Sequence, residues 1–113
     1  MIKGLIIKED YLQRFFNNNK TAEVRSQDTK IRGKILLCCS KKHEIWGEAE
    51  LYDVLRVLQC EYETYTHLHK SNDFDGYPVN YLWLMKNIKK YPKPKSYQHK
   101  PGCVIWINLK LEE

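Results

Sequence analysis

Residues 20–25 bring an ammonium, a hydroxyl, a carboxylate and a guanidinium into six consecutive positions, Lys-Thr-Ala-Glu-Val-Arg. The strict alternation after Lys20 predicts a strand on which Thr21, Glu23 and Arg25 share the polar face. On such a face Lys20 and Arg25 would bind phosphate or carbonyl oxygens. Glu23 would accept hydrogen bonds from the N–H groups of a base. The pattern therefore predicts a binding site for a polar ligand.

Two other interpretations of this strand stay open. Lys20 and Glu23 would do acid–base chemistry if a site of low dielectric shifted their pKa values, with Thr21 as a candidate nucleophile. Alternatively, the strand has a solvated face with cross-strand ion pairs, which are common and contribute little to stability. From the spacing alone, the solvated face is the more frequent arrangement.

The elements that must position this strand are a helix before it and several strands around it. Apolar residues recur at helical spacing from Tyr11 to Phe16, and Asp10 is the predicted cap of this helix. The helix should end at the run 17–19, because three asparagines tolerate the left-handed conformation that terminates helices. Further strands are predicted at residues 4–7, 33–40, 44–57, 81–85 and 103–111.

The rest of the chain is less regular. Residues 52–58 fit either a strand or a helix, residues 59–72 suggest a short helix with a loop, and residues 73–78 are rich in turn formers. Residues 86–101 carry three prolines, which predicts neither a regular helix nor a central strand. The fold class is therefore α+β but mostly β. We expect a small, mostly antiparallel β-barrel with one or two packed helices, as one domain over residues 1–113.

The positive charge is confined to the last third of the chain. Residues 1–75 hold 12 Lys+Arg and 12 Asp+Glu, whereas residues 76–111 hold seven lysines and no acidic residue. Clustered positive charge favours an anionic partner, and lysines that contact phosphates position nucleic acid without reading its sequence. A solvated loop is the competing interpretation. The predicted phosphate-binding residues are Lys86, Lys89, Lys90, Lys93, Lys95 and Lys100.

Other classes of protein fit the sequence poorly. The longest apolar run, Ile35 to Cys39, is far shorter than the roughly 20 residues that span a bilayer. The first residues lack an export signal, so we expect a cytoplasmic protein with no membrane partner. The four cysteines form no C-x-x-C motif, which predicts reduced thiols and no metal site. We expect no cofactor, and we interpret His67 and His69 as surface residues.

The motif strand and its surroundings resemble a known family. Asn18 to Arg25 is similar to the G-x-K-x-x-E-x-R signature of ASCH domains, with Asn18 at the position of the glycine. Asn is the next best residue for a left-handed turn at that position. The resemblance extends along essentially the whole chain in the expected order. It includes residues 3–9, 29–35, 47–51, 81–84 and 99–106.

The resemblance implies a PUA-like β-barrel with a cleft beside the motif strand, and Lys20, Glu23 and Arg25 as cleft residues. Aromatic residues also stack on bases. Tyr81 and Trp83 lie in a segment that is similar to a cleft element of the family, which makes them candidate ligand contacts. Trp46 and Trp106 are further stacking candidates, although core positions are more common for all four aromatic residues.

The family is thought to bind RNA or modified nucleosides, so the expected partner is RNA or a nucleotide or nucleoside ligand. Some members are amidohydrolases that remove the acetyl group of N4-acetylcytidine, and ribonuclease activity is known for another. The small deacetylating members place a threonine nucleophile where this chain has Glu23, and Thr21 lies two residues earlier. We therefore consider first a binding module, whose cleft takes a base or nucleotide while the basic segment 86–100 forms the rim of that cleft. A hydrolase acting on RNA or a modified nucleoside comes second, and a protein-interaction adaptor third.

Overall fold

The computed structural model describes residues 1–70 and 78–110. Strands dominate the described part of the chain, as predicted, and the region that fitted either a strand or a helix belongs to a long strand. The elements in chain order are β1 (Ile2–Ile7), α1 (Glu9–Asn17), β2 (Ala22–Arg25), β3 (Gly33–Cys39), β4 (Glu44–Leu58), a 3-10 helix (Gln59–Tyr65), α2 (Thr66–His69), β5 (Val79–Ser96) and β6 (Trp106–Leu109).

The strands form one sheet in the order β2-β5-β4-β3-β1-β6, which curls into a half-barrel. Most neighbours are antiparallel, but β1 pairs in parallel with β3, with Gly4 opposite Leu36. A parallel pair needs a long crossover connection, and α1 with β2 supplies it between β1 and β3. The predicted mostly β architecture with packed helices is confirmed. Its two outermost strands are β2 and β6.

Helix α1 packs its apolar side against the concave core of the sheet. Leu12 and Phe15 are buried there among residues of β1, β3, β4 and β5. The helix ends at Asn17, as predicted, but its start differs: Lys8 occupies the cap position and makes no side-chain cap hydrogen bond. Asp10 lies in the first turn instead, where a carboxylate stabilises the positive end of the helix dipole.

Strand β5 is longer than the predicted 81–85, because it continues to Ser96 through Pro92 and Pro94, but its proline-rich part is not a central strand, as predicted. β2 pairs only with residues 81–84 of β5, so the later part of β5 has β4 alone as its neighbour. The register with β4 also shifts between Ile45 and Gly47, and the prolines fall inside that irregularity. A proline is tolerated at such a bulge because its nitrogen need not donate to the ladder.

Several local predictions also need correction. The strand expected from residue 103 is shorter and begins at Trp106. His69 is buried rather than exposed, since its Nε2 lies 3.0 Å from the carbonyl oxygen of Tyr62 and its ring stacks on the Tyr62 ring, whereas His67 is exposed. Apart from Pro78, the turn predicted at 73–78 lies outside the described residues.

In residues 1–70 and 78–110 no helix is long and apolar enough to cross a membrane. The same ranges contain no group of three His, Cys, Asp or Glu residues that would hold a metal ion. All four cysteines are free, and burial raises the pKa of the Cys38 thiol to about 12, which makes it a poor nucleophile.

Candidate functional site

A cleft of about 480 Å³ opens where the two ends of the half-barrel approach each other. Ile6 of β1 lines one side, together with Val104 and Ile105, which precede β6. Glu23 and the residues after it line the other side, from β2. The cleft therefore lies at the seam of the sheet, where no strand pairing closes the half-barrel and side chains from both ends meet.

Three charged side chains at the base of β2 form a connected ion triad. Lys20 Nζ lies 2.8 Å from Glu23 Oε1, and Arg25 Nη2 lies 3.0 Å from Glu23 Oε2. The side chains of Lys20 and Glu23 are only 2% and 7% exposed, whereas that of Arg25 is 21% exposed. A buried charge is tolerated only when it is paired, so each member of the triad depends on the others.

The position of Lys20 follows from the turn that ends α1. Asn19 adopts the left-handed conformation with φ of 57°, whereas Asn18, at the position of the signature glycine, has φ of −120° and needs no glycine-like freedom. Lys20 N then donates to the carbonyl oxygen of Arg14, which directs its side chain back under the helix. Its Nζ lies 4.8 Å from the centroid of the Phe15 ring, so the ammonium is stabilised by an aromatic face as well as by a carboxylate.

Arg25 joins the two ends of the sheet across the cleft. Its Nη2 donates to the carbonyl oxygen of Ile6 in β1 at 2.9 Å, as well as to Glu23. Its guanidinium carbon lies 5.6 Å from the centroid of the Trp83 ring. Arg25 Nε is buried and has no hydrogen-bond partner in the described part of the chain. One side chain thus links the motif strand, β1 and the aromatic wall of the cleft.

Trp83 forms that wall, but its surface is largely covered. The residue is 2% exposed, and its indole N–H donates to the carbonyl oxygen of Gln27 at 2.9 Å. Its ring stacks on Trp106 with centroids 5.6 Å apart and planes inclined by 9°. Tyr11 of α1 also lines the cleft. Trp83 therefore gives the cleft a tightly packed wall with little exposed ring surface, because Trp106 stacks on it and Arg25 lies 5.6 Å from its centroid.

The charged side chains that line the cleft are Lys8, Lys20, Glu23 and Arg25. Three positive charges against one negative charge leave a formal excess of two positive charges. Positive charges in a concave site attract anions most strongly where the walls exclude water. This arrangement suits a ligand that carries a phosphate or another anionic group next to a polar ring.

The structure brings only part of the predicted site together. Lys20, Glu23, Arg25 and Trp83 all line the cleft, whereas its lining does not include Tyr81 or Thr21. Tyr81 is opposite Arg25 in the ladder between β2 and β5. Thr21 lies just before β2, and its main chain is tied to both sides: its N–H donates to Leu68 and its carbonyl accepts from Met85.

The predicted phosphate-binding lysines lie elsewhere. Five of them are exposed on β5 beyond the residues that pair with β2, Lys100 follows that strand, and none lines the cleft. Lys8, Tyr11 and Ser40 do line it, but sequence reasoning did not identify them. Lys8 and Ser40 lie just after the ends of the parallel strands β1 and β3, so only the unpredicted parallel pairing would have revealed that they are close together.

Comparisons with known proteins agree on one family and one fold. The profile of the ASCH domain matches residues 5–112. No curated protein sequence matches the chain. The crystal structure of ASCH from Zymomonas mobilis superposes with a TM-score of 0.71 at 12% identity, covering 83% of this chain and 72% of that one. A variant of the same protein with one serine replaced by alanine gives a TM-score of 0.74 at 12% identity, covering 96% and 87%. At this identity the structural likeness concerns the fold, which is PUA-like.

Proposed function

The chain belongs to the ASCH domain family, and from that premise we propose that it binds RNA, with one nucleotide seated in the cleft beside β2. In this proposal the phosphate lies against the cationic side chains Lys8 and Arg25. The base lies against the wall formed by Trp83 and Tyr11. Glu23 holds Lys20 and Arg25 in place and accepts a base N–H through the lone pairs that its two ion pairs leave free.

The observation that carries the proposal is the ion triad at the open seam. Burying three charges is costly unless their geometry is well satisfied, and a hydrophobic replacement is often as stable. The chain nevertheless holds Lys20, Glu23 and Arg25 at one end of a cleft of about 480 Å³, a volume in the range of small-ligand sites. A site of this kind pre-orients charged donors before the ligand arrives, which favours binding.

The excess positive charge gives the proposal a specific test. A nucleoside 5′-monophosphate should bind more tightly than the matching nucleoside, measured by calorimetric titration of cytidine and its monophosphate. Lys8→Gln should weaken binding of the monophosphate and leave binding of the nucleoside unchanged. Lys3→Gln is the matched control, since Lys3 is also an exposed lysine on the same segment but does not line the cleft. Equal effects of both substitutions would contradict the proposal.

The hydrolase hypothesis demands a different readout. It assigns catalysis to Lys20 and Glu23, with Thr21 as a candidate nucleophile. The cleft lining contains the first two but not Thr21, and both oxygens of Glu23 already accept from cations. Geometry therefore favours binding over turnover. Incubation with N4-acetylcytidine and with total RNA, followed by mass spectrometry, should yield no product, and release of acetate or of RNA fragments that Lys20→Ala abolishes would overturn this conclusion.

The adaptor hypothesis predicts that the cleft is inert. Under it, neither nucleotides nor RNA oligonucleotides would bind at low salt, where electrostatic attraction is strongest. A titration at low ionic strength separates this outcome from the proposal directly, because the proposal predicts salt-sensitive binding in the same experiment.

A further inference from the structure

A second concave surface lies on the other side of α1 from the cleft. It has a volume of about 320 Å³ and combines the last turn of α1 with β4 and the irregular part of β5. We call it the aromatic groove and define it by Phe16, Trp46, Lys90, Tyr91, Pro92 and Pro94. The two surfaces have no lining residue in common.

The helix itself separates the two surfaces. Tyr11 lines the cleft, whereas Gln13 and Phe16 line the aromatic groove. At 3.6 residues per turn, Gln13 and Phe16 point roughly 160° and 140° away from Tyr11 around the helix axis. α1 thus forms a ridge, with the ion triad on one flank and the aromatic groove on the other.

Two aromatic rings of the groove have a lysine ammonium close to their faces. Lys90 Nζ lies 5.9 Å from the centroid of Phe16, and Lys42 Nζ lies 5.6 Å from that of Trp46. Both rings are only partly buried and pack against the same core cluster as α1, whereas the Tyr91 ring packs against the other core cluster, around Cys38 and Ile107. Rings that accept bases, next to cations that accept phosphates, are the combination found in grooves for single-stranded nucleic acid.

A glycine in β4 and the bulge in β5 determine the shape of this surface. Gly47 lies beneath Phe16, and a Cβ at that position would come within 3.0 Å of Phe16 Cζ and 2.3 Å of the Lys89 carbonyl oxygen. The bulge that carries Pro92 and Pro94 raises this part of β5 beside Trp46. A glycine and a bulge therefore make room for the ring and shape the groove wall.

The carboxylates around the groove are engaged by other groups, which leaves Lys90 able to pair with a partner. Glu48 lies 3.3 Å from Lys34 and accepts from the Tyr91 hydroxyl, and Glu9 pairs with Lys42. Glu44 accepts from the Trp46 indole. By contrast, no ion pair within residues 1–70 and 78–110 involves Lys90, Lys93 or Lys95.

From this surface we infer a second binding site: the aromatic groove holds a single-stranded RNA segment that continues across α1 from the nucleotide in the cleft. The inference rests on the proposed function for the class of ligand, but its residues are separate. Bases pack on Trp46 and Phe16, and a backbone phosphate lies against Lys90. RNA longer than the cleft can hold then binds more tightly than a short fragment.

The test compares two single variants with the same change in charge. Lys90→Gln removes the lysine that lines the groove, and Lys110→Gln removes an exposed lysine just after β6, at the other edge of the sheet. Fluorescence anisotropy with a labelled 12-nucleotide single-stranded RNA is recorded from about 50 to 200 mM salt. For one lost phosphate contact, the plot of log affinity against log salt should become shallower by about 0.7 for the groove variant alone. Equal slopes for both variants, or no change from the wild type, would overturn the inference.

A ring substitution tests the stacking part separately. Trp46→Leu should weaken binding of the 12-nucleotide RNA by about 5- to 150-fold, as expected for one lost base–aromatic stack. It should leave binding of cytidine monophosphate to the cleft unchanged, which also shows that the variant is folded. If polyglutamate displaces the RNA as well as unlabelled RNA does and Trp46→Leu has no effect, the groove is a general polyanion surface and the inference is wrong.

The two proposals fail in distinguishable ways. If Lys8→Gln weakens nucleotide binding but the groove variants behave like their controls, the cleft proposal stands and the groove inference falls. If the groove variants lose RNA while cytidine monophosphate does not bind at all, the groove inference stands for single-stranded RNA and the cleft proposal falls.

Discussion

Two pairs of lysine and glutamate show how differently this fold uses the same chemistry. At the cleft, Lys20 and Glu23 are 2.8 Å apart with side chains that are 2% and 7% exposed. On the outer part of the sheet, Lys86 of β5 and Glu50 of β4 are 3.6 Å apart with side chains 55% and 39% exposed. The first pair lies in the interior of the protein, whereas the second pair lies on its solvent-exposed surface.

The comparison shows that an ion pair matters for the stability of the fold mainly where it is buried. A buried pair is locked because each partner would otherwise be an uncompensated charge, whereas an exposed pair is largely replaced by water when it breaks. The charge-balanced first part of the chain therefore holds the residues that define the cleft. On the lysine-rich strand β5, Lys90, Lys93 and Lys95 form no ion pair with another described residue, so their charges are able to meet a partner. Four measurements test this description of the two regions, in order of decreasing expected effect.

The largest effect is expected at the buried pair. Glu23→Gln leaves the Lys20 ammonium without its carboxylate in a site where water is excluded, so the free energy of unfolding should fall by about 3–5 kcal/mol. Urea unfolding followed by circular dichroism measures it. A fall below about 1 kcal/mol would mean that water reaches Lys20 and that the two pairs are alike.

A smaller loss is expected at the glycine beneath the aromatic groove. Gly47→Ala places a methyl group against the Lys89 carbonyl oxygen and the Phe16 ring, which forces the backbone or the ring to move. Overpacking of this kind should lower the free energy of unfolding by about 1–3 kcal/mol. RNA binding at the aromatic groove should weaken in parallel. An unchanged unfolding midpoint would contradict the close approach of the Lys89 carbonyl oxygen to Gly47.

Alkaline pH should destabilise the outer face of the sheet through two tyrosines. Burial raises the pKa of Tyr91 and of Tyr97 to about 12. Unfolded chains release the phenolic proton near the ordinary value of about 10, so the stability contributed by the neutral phenols is complete below that pH and is lost as the pH rises toward 12. Melting temperatures from neutral pH upward should therefore decline beyond about pH 10.

Tyr91→Phe provides the control for this prediction. The variant removes one of the two phenols and also the hydrogen bond to Glu48, so its alkaline decline should be less steep than that of the wild type. Identical declines for both proteins would assign the effect to other groups.

The smallest effect is expected at the exposed pair. Glu50→Gln makes the same chemical change as Glu23→Gln, but water replaces the lost partner of Lys86. Its free energy of unfolding should change by less than about 1 kcal/mol in the same urea experiment. A loss comparable to that of Glu23→Gln would remove the distinction between the two regions.

Sequence reasoning predicted the parts of the fold that local patterns determine. Alternation identified β2, helical spacing identified α1, and the asparagine run ended that helix at Asn17. Two features depended on distant partners instead. The parallel pairing of β1 with β3 has no local signal, and Pro92 and Pro94 enter β5 only because β2 is too short to pair with that part of the strand.

The candidate site divides in the same way. Lys20, Glu23 and Arg25 were found because their types and spacing, with the family signature, are compressed into one strand. Lys8 and Ser40 were missed because they reach the cleft through strand ends that are far apart in sequence. The basic segment was expected to form the rim of the cleft, but its residues on β5 lie beyond those that pair with β2, and Lys90 lines the aromatic groove instead.

Binding of a nucleotide at the seam beside β2 is tested most directly by an amide NMR titration of the wild-type protein with cytidine monophosphate, which reports every affected position at once. The largest shifts should belong to residues 20–27 and to the indole N–H of Trp83, with little change along the later part of β5. Shifts confined to β5, or none at millimolar nucleotide, would contradict it.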